Sequence, residues 1–211
     1  MSAEQMRIRI TFSKTQAMRY TGHLDLHRAW ERAFRRSCLP LAYSLGFHPQ
    51  PKLNLAAALP LGFTSDCELL DAWLETVLPV EQVMQALVPA LPPGMLIHTI
   101  EQVDLRLPAL QTQVTAADYE VTLLEPLPGL AQRVEHLLGQ TTLPRQRRGK
   151  DYDLRPLIEA IDLLAEAGPG PHLRMRLSLR EAATGRPEEV LDALGASPAS
   201  ARVRRIRMLM R

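Results

Sequence analysis

Apolar and polar positions alternate strictly in MRIRITF. Met6, Ile8, Ile10 and Phe12 fall on one side, and Arg7, Arg9 and Thr11 on the other, the period of a half-buried strand. The period then lengthens. In GHLDLHRAWERAFRRSCLP, Leu26, Trp30, Ala33 and Phe34 recur at i, i+4, i+7 and i+8, which predicts an amphipathic helix stopped before Pro40. PKLNLAAALP reads as a strand between turns, and CELLDAWLE alternates again through Leu70, Ala72 and Leu74. PVEQVMQALVPALPPG reads as a helix ended by proline and glycine, and MLIHTIEQVDL as a fourth strand.

The second half repeats this order. DYEVTLL is a strand, and GLAQRVEHLLG a helix with Leu130, Val134, Leu137 and Leu138 on one stripe. HLRMRLSLR alternates most cleanly of all. RPEEVLDALG has Pro187 at a helix start and Gly195 past its end, and ARVRRIRMLM closes as a strand. Residues 154–165 resist. The repeat calls for a strand, whereas Leu154, Leu157, Ile158, Ile161 and Leu164 are spaced as on a helix. The reading adopted is an extended start through Pro156 followed by a strand. The predicted class is α+β: tandem ferredoxin-like (βαββαβ) units, each an antiparallel sheet covered by helices on one face. The first unit spans residues 1–105, a polar proline-containing linker spans 106–117, and the second unit spans 118–211.

Composition narrows the class. Of 211 residues 46% are apolar, enough for a core in each unit. No apolar run reaches the roughly 18 residues of a membrane span. The N-terminus lacks the apolar segment of a secretory signal, so a cytoplasmic protein is expected. Cys38 and Cys67 stand in no metal-binding spacing and are expected as buried free thiols. The net charge of +2 permits a nucleic-acid partner without requiring one, and the excess of arginine lies after Leu105.

Placement of the charges is more informative. With strands one and three adjacent in each unit, Arg7 and Arg9 would face Asp71 and Glu75, and Glu120 would face Arg174 or Arg176. Arg28, Arg32, Arg35 and Arg36 lie opposite the apolar stripe of the first helix. Glu31 is expected to pair with Arg35 and Asp25 with Arg28, leaving at least two charges for phosphate contact. Asp25 also suits the positive end of that helix. In YSLGFHPQPK, Tyr43, Ser44, Phe47, His48 and Lys52 are candidate RNA contacts, shaped by Gly46, Pro49 and Pro51. The ten residues exceed the usual 2 to 6 or so of a helix-to-strand connection. Gly62 fits a hairpin turn between the strands that follow. PRQRRGKDYDLRP gathers Arg145, Arg147, Arg148, Lys150, Tyr152 and Arg155 as a second cluster of candidate contacts. His23 and His27 share a helix face, but Asp25 points away and no third ligand is evident, so no metal site is expected. No nucleophile-elbow, phosphate-loop or zinc-protease motif is present. Nor does the chain carry the clustered cysteines of an iron–sulfur site.

The pieces HLD, RAFRRSCLPLAYSLGFHPQPK, LPLGFTSDCE, GKDYDLRPLI and RPEEVLDAL cover nearly the whole chain. Together they resemble a bacterial family of unknown function, the radical-SAM-linked (radical-SAM-associated) domains. The resemblance marks Asp25, Gly46, Pro49, Pro51, Gly62, Ser65, Glu68, Asp153 and Pro187 as structural positions of the motif. Where family members often carry Ser, this chain has Gly22. The resemblance implies a separate partner, a radical S-adenosylmethionine protein with a cobalamin-binding-like region. That partner would hold the iron–sulfur cluster and S-adenosylmethionine, and this chain would need no cofactor. Neighbouring genes of the family concerned with RNA processing imply an accessory, substrate-presenting role toward structured RNA, expected to be gripped in a cleft between the units. Two alternatives stand beside it. One is a metal-independent ribonuclease using His23 or His48 as general acid–base. The other is a module that only docks a protein.

Overall fold

The alternating N-terminal segment is strand β1 (Met6–Lys14), and the amphipathic segment is α1 (His23–Ser37). There follow β2 (Leu53–Leu55), β3 (Thr64–Leu74), α2 (Val80–Leu87), β4 (Met95–Val103) and a short α3 (Leu110–Gln113). The second half holds β5 (Val114–Leu123), α4 (Leu130–Gly139), β6 (Pro144–Arg147), β7 (Lys150–Asp153) and β8 (Ile158–Leu164). It ends with β9 (His172–Arg180), β10 (Ala183–Thr184), α5 (Pro187–Leu194) and β11 (Ala201–Met210). The computed structural model describes residues 5–147, 149–164 and 170–211. The chain divides into two units, Met1–Gln113 and Val114–Arg211, each mixed α/β with antiparallel strands. Residues 106–117 therefore contain α3 and the first four residues of β5.

In the first unit the strand order is β4-β1-β3-β2, every neighbouring pair antiparallel. Met6, Ile8, Ile10 and Phe12 are buried on the helix-covered face against Trp30 and Phe34 of α1. Phe12 meets Trp30 edge-on, with ring centroids 4.9 Å apart. Each such side chain contributes about 1.5–3 kcal/mol on burial. The opposite face is closed as well. Arg7 donates to the Leu107 and Pro108 carbonyls at 2.6 and 2.9 Å, and Asn54 of β2 exchanges amide hydrogen bonds with Gln111 of α3.

That closure changes the expected charge pairing. Arg7 and Arg9 both converge on Asp71, which is fully buried. Arg7 lies opposite Trp73, so its guanidinium reaches Asp71 diagonally, and Glu75 is already past the end of β3. Gly62 is no tight hairpin turn, because residues 56–63 separate β2 from β3. With φ of +87° it serves the loop instead, its N–H donating to Arg19 O while Arg19 Nε donates to Gly62 O. Ser65 and Glu68 are buried in β3, and Ser65 Oγ accepts the Cys67 N–H at 3.2 Å. The thiols are less buried than expected. Cys38 is exposed in the left-handed position that ends α1, and Cys67 is half-buried.

In the second unit the order is β8-β9-β5-β11. Residues 155–157 form one turn of 3₁₀ helix rather than extended chain, and β8 follows. A bulge between Ile158 and Ala160 puts Ile158 opposite Leu177 and Ile161 opposite Met175. The extra residue turns a period of two into an apparent spacing of three, which is why the apolar pattern imitates a helix. Glu120 pairs with Arg174 at 3.3 Å and also with Arg204 at 2.5 Å, while Arg176 grips Asp118 at 2.7 and 3.0 Å. Among the described residues no helix is long and apolar enough to cross a membrane.

Candidate functional site

The segment after α1 is a hairpin hung on β3. Ala42 N–H donates to the Trp73 carbonyl at 2.7 Å, Lys52 N–H to that of Ala42 at 2.8 Å, and Trp73 N–H to that of Lys52 at 3.2 Å. Further out, Tyr43 bridges to Pro51, and Ser44 N–H donates to Gln50 O at 2.8 Å. The Gln50 N–H donates back to Ser44 Oγ at 2.9 Å. Ser44, expected at an RNA contact, is thus the clasp of the arm. Gly46, with φ of +135°, turns the tip. Pro51 lies in the stem and Pro49 at the base of the tip, each fixing one backbone angle. Leu45 and Phe47 are fully exposed (102% each), Tyr43 is nearly half exposed, and His48 is exposed with no side-chain partner among the described residues. Leu45 escaped the sequence reading. Its only signal was an apolar residue placed between Ser44 and the turn glycine.

The arginine face of α1 divides into spent and available charges. Arg28 pairs with Asp25 of the first helical turn at 3.4 Å. Glu31 is taken by His27 at 3.1 Å and not by Arg35. Arg36 donates to the Ala90 carbonyl and so ties α1 to the segment after α2. The Arg32 and Arg35 side chains are exposed and make no ion pair or hydrogen bond among the described residues. His23 opens the helix, and His27 Nε2 lies 3.4 Å from Leu53 O. No three His, Cys, Asp or Glu among the described residues are grouped to hold a metal ion.

The basic segment of the second unit is a β6–β7 hairpin, with Arg145 opposite Tyr152 and Arg147 opposite Lys150. Three of its candidate contacts are structural. Arg155 donates to the carbonyls of Leu138, Gln140 and Ile158 at 2.8–3.2 Å and so caps the end of α4. Arg145 reaches Asp192 of α5 at 3.5 Å. Burial, and then a hydrogen bond to Glu189, push the Tyr152 hydroxyl well above its ordinary pKa. Asp153 Oδ1 accepts the N–H groups of Leu143 and Arg155 at 2.7 and 3.0 Å, closing the base of the hairpin. Pro187 is buried at the first turn of α5. Arg147 and Lys150 stay free of ion pairs among the described residues, and Arg148 lies outside them.

Strand pairing exposes one further basic surface. On the sheet face carrying Asp118 and Glu120, β11 presents Arg202 opposite Thr122, Arg204 opposite Glu120 and Arg207 opposite Asp118. Arg202 and Arg207 are exposed without ion pairs among the described residues. The Arg204 and Arg174 guanidiniums hold the Glu120 carboxyl below its ordinary pKa, against the effect of burial. A cavity of about 280 Å³ also lies between α4 and α5, but its Arg133 is engaged with the Pro128 and Leu194 carbonyls and its His136 with Gln140.

The family described as "Uncharacterized protein conserved in bacteria (DUF2344)" matches residues 7–187. The chain belongs to the DUF2344 family. No curated protein sequence matches it. Among solved structures, a chain of the "Crystal Structure of a Cbf5-Nop10-Gar1 Complex" is similar at 13% identity and a TM-score of 0.52, over 95% of this chain and 48% of that one. A chain of the "Structure of H/ACA RNP bound to a substrate RNA containing 2'-deoxyuridine" is similar at 12% identity and a TM-score of 0.48, over 95% and 47%. This DUF2344 chain spans about half the length of those chains. The first likeness is one of fold alone.

Proposed function

We propose that the chain is a non-catalytic RNA-binding accessory protein. The observation that carries this reading is a set of cations that make no ion pair among the described residues. Arg32 and Arg35 of α1 and Lys52 of the arm belong to the first unit, and Arg147, Lys150, Arg202 and Arg207 to the second. Residues 38–65, which hold the arm and its aromatic Tyr43 and Phe47, contain no Asp or Glu. Cations without ion pairs grip phosphates, and exposed aromatic rings stack bases. The strand orders β4-β1-β3-β2 and β11-β5-β9-β8 support reading each unit as ferredoxin-like.

A radical S-adenosylmethionine protein is the partner this proposal assigns, with the iron–sulfur cluster and S-adenosylmethionine on that partner. Its support is the resemblance of the sequence motifs. The test is fluorescence anisotropy of a labelled structured RNA against salt. Each phosphate contact adds about 0.7–0.9 to the slope of log K against log salt. Arg32→Gln with Arg35→Gln is expected to weaken binding for all sequences alike and to lower the slope by roughly 1.4–1.8. No binding at low salt, or binding indifferent to salt, overturns the proposal.

A further inference from the structure

Leu45 and Phe47 stand at the tip of the arm with their whole surfaces in water, which a folded chain rarely does with two large apolar side chains one residue apart. We propose that this tip is a wedge for unpaired bases. On this assignment Phe47 stacks on a nucleobase at a bulge or loop of structured RNA, Leu45 fills the space beside it, and Lys52 meets the flanking phosphate. The inference rests on the RNA-binding reading above and adds the element of RNA that is recognised.

Three features favour a base as the occupant. First, the arm is held in shape before anything binds. The reciprocal Ser44–Gln50 hydrogen bonds, the Tyr43–Pro51 bridge and two prolines fix the loop; two backbone hydrogen bonds anchor its stem to Trp73 of β3, and a third, from Lys52 to Ala42, closes the stem. Little conformational freedom is then lost on insertion. Second, the apolar surface is narrow. Ser44, His48 and Gln50 flank it, so it has the form of two apolar points on a polar stalk. A stable protein interface needs on the order of 800 Å² per partner around an apolar centre. Apolar side chains such as Phe and Leu enter between base steps at this scale. Third, the charge is complementary. Residues 38–65 carry no acid, so the arm itself sets no carboxylate against a phosphate backbone that approaches it. Structured RNA offers splayed bases at bulges and loops, and these stack on aromatic side chains.

The experiment uses the full chain and two RNA hairpins, one with a single 2-aminopurine bulge and one fully paired. Wild type is expected to prefer the bulged RNA and to change the 2-aminopurine fluorescence on binding. Phe47→Ala is expected to weaken binding to the bulged RNA by about tenfold or more, as for loss of one stacked base, with the salt slope unchanged. Leu45→Ser should weaken it less, and Phe47→Trp should retain both the preference and the optical signal. Both side chains are fully exposed, so the variants keep the fold, checked by circular dichroism. Salt-dependent binding by wild type that is indifferent to Phe47→Ala, with no 2-aminopurine response, overturns the wedge and leaves RNA binding standing. No binding of either RNA by wild type overturns both. Loss of a co-purifying protein on Phe47→Ala, with RNA binding intact, assigns the tip to protein docking and also overturns the wedge.

Discussion

Removing the Asp71 carboxylate should unfold the first unit under conditions where the wild type is stable. Asp71 is completely buried and accepts four hydrogen bonds. Arg7 donates through Nε at 3.0 Å and Nη2 at 2.6 Å, and Arg9 through Nε at 2.8 Å and Nη2 at 3.0 Å. In Asp71→Ala, Arg7 stays buried at 1% exposure with its charge uncompensated. Among the described residues only the Leu107 and Pro108 carbonyls and the Trp73 ring, 4.8 Å from the guanidinium carbon, remain to it. Breaking one partner out of a buried pair costs roughly 3–5 kcal/mol. Urea titration followed by tryptophan emission reads this unit alone, because Trp30 and Trp73 are the chain's two tryptophans. The double change Arg7→Met with Asp71→Leu should recover much of the loss, since neither charge is then left in the interior. The arm should suffer with Asp71→Ala, because the backbone of Trp73 carries two of its anchoring hydrogen bonds. A loss below about 1 kcal/mol, the value of an exposed pair, would refute the argument that burial makes this cluster decisive.

Other outcomes follow from the second unit. Arg155→Met should destabilise it by about 2–3 kcal/mol, measured by chemical denaturation followed by circular dichroism, because the carbonyls at the end of α4 lose a charged donor. An Arg155→Met protein as stable as wild type would contradict the capping role. Glu120 has its pKa lowered in the folded state, so its contribution is fully present above the unfolded value of 4.5 and is lost as pH falls through the folded value. The gap in melting temperature between wild type and Glu120→Gln should therefore be small at pH 7 and vanish in acid. It should also shrink in 1 M salt, because Arg174 and Arg204 are about half exposed. A gap that widens below pH 4 would reverse the sign of the argument.

Local patterns were legible where one element alone sets them. The strict alternation of β1, the Leu26–Trp30–Ala33–Phe34 stripe of α1 and the Leu173–Met175–Leu177–Leu179 face of β9 correspond to buried faces in the structure. These follow from the two periodicities of the backbone, which any window of the chain carries. The segment 158–164 was ambiguous because its bulge depends on a partner strand that lies elsewhere in the sequence.

The fate of each charge was not legible, and the candidate site depends on it. Counting arginines identified the α1 face and the 144–155 segment, but it could not distinguish Arg32 and Arg35 from Arg36, or Arg147 from Arg145 and Arg155. A guanidinium reaches several ångströms from its backbone, so its partner is set by what folding brings near. Ala90 does this for Arg36, Asp192 for Arg145 and the end of α4 for Arg155. The same applies to exposure. Sequence alone determined that the segment between α1 and β2 was long, proline-stiffened and free of acid. Only the tertiary structure decided that Tyr43 and Pro51 close it into a hairpin on β3, because that depends on hydrogen bonds to Trp73, about thirty residues away in sequence. The closure leaves Leu45 and Phe47 uncovered by any of the described residues.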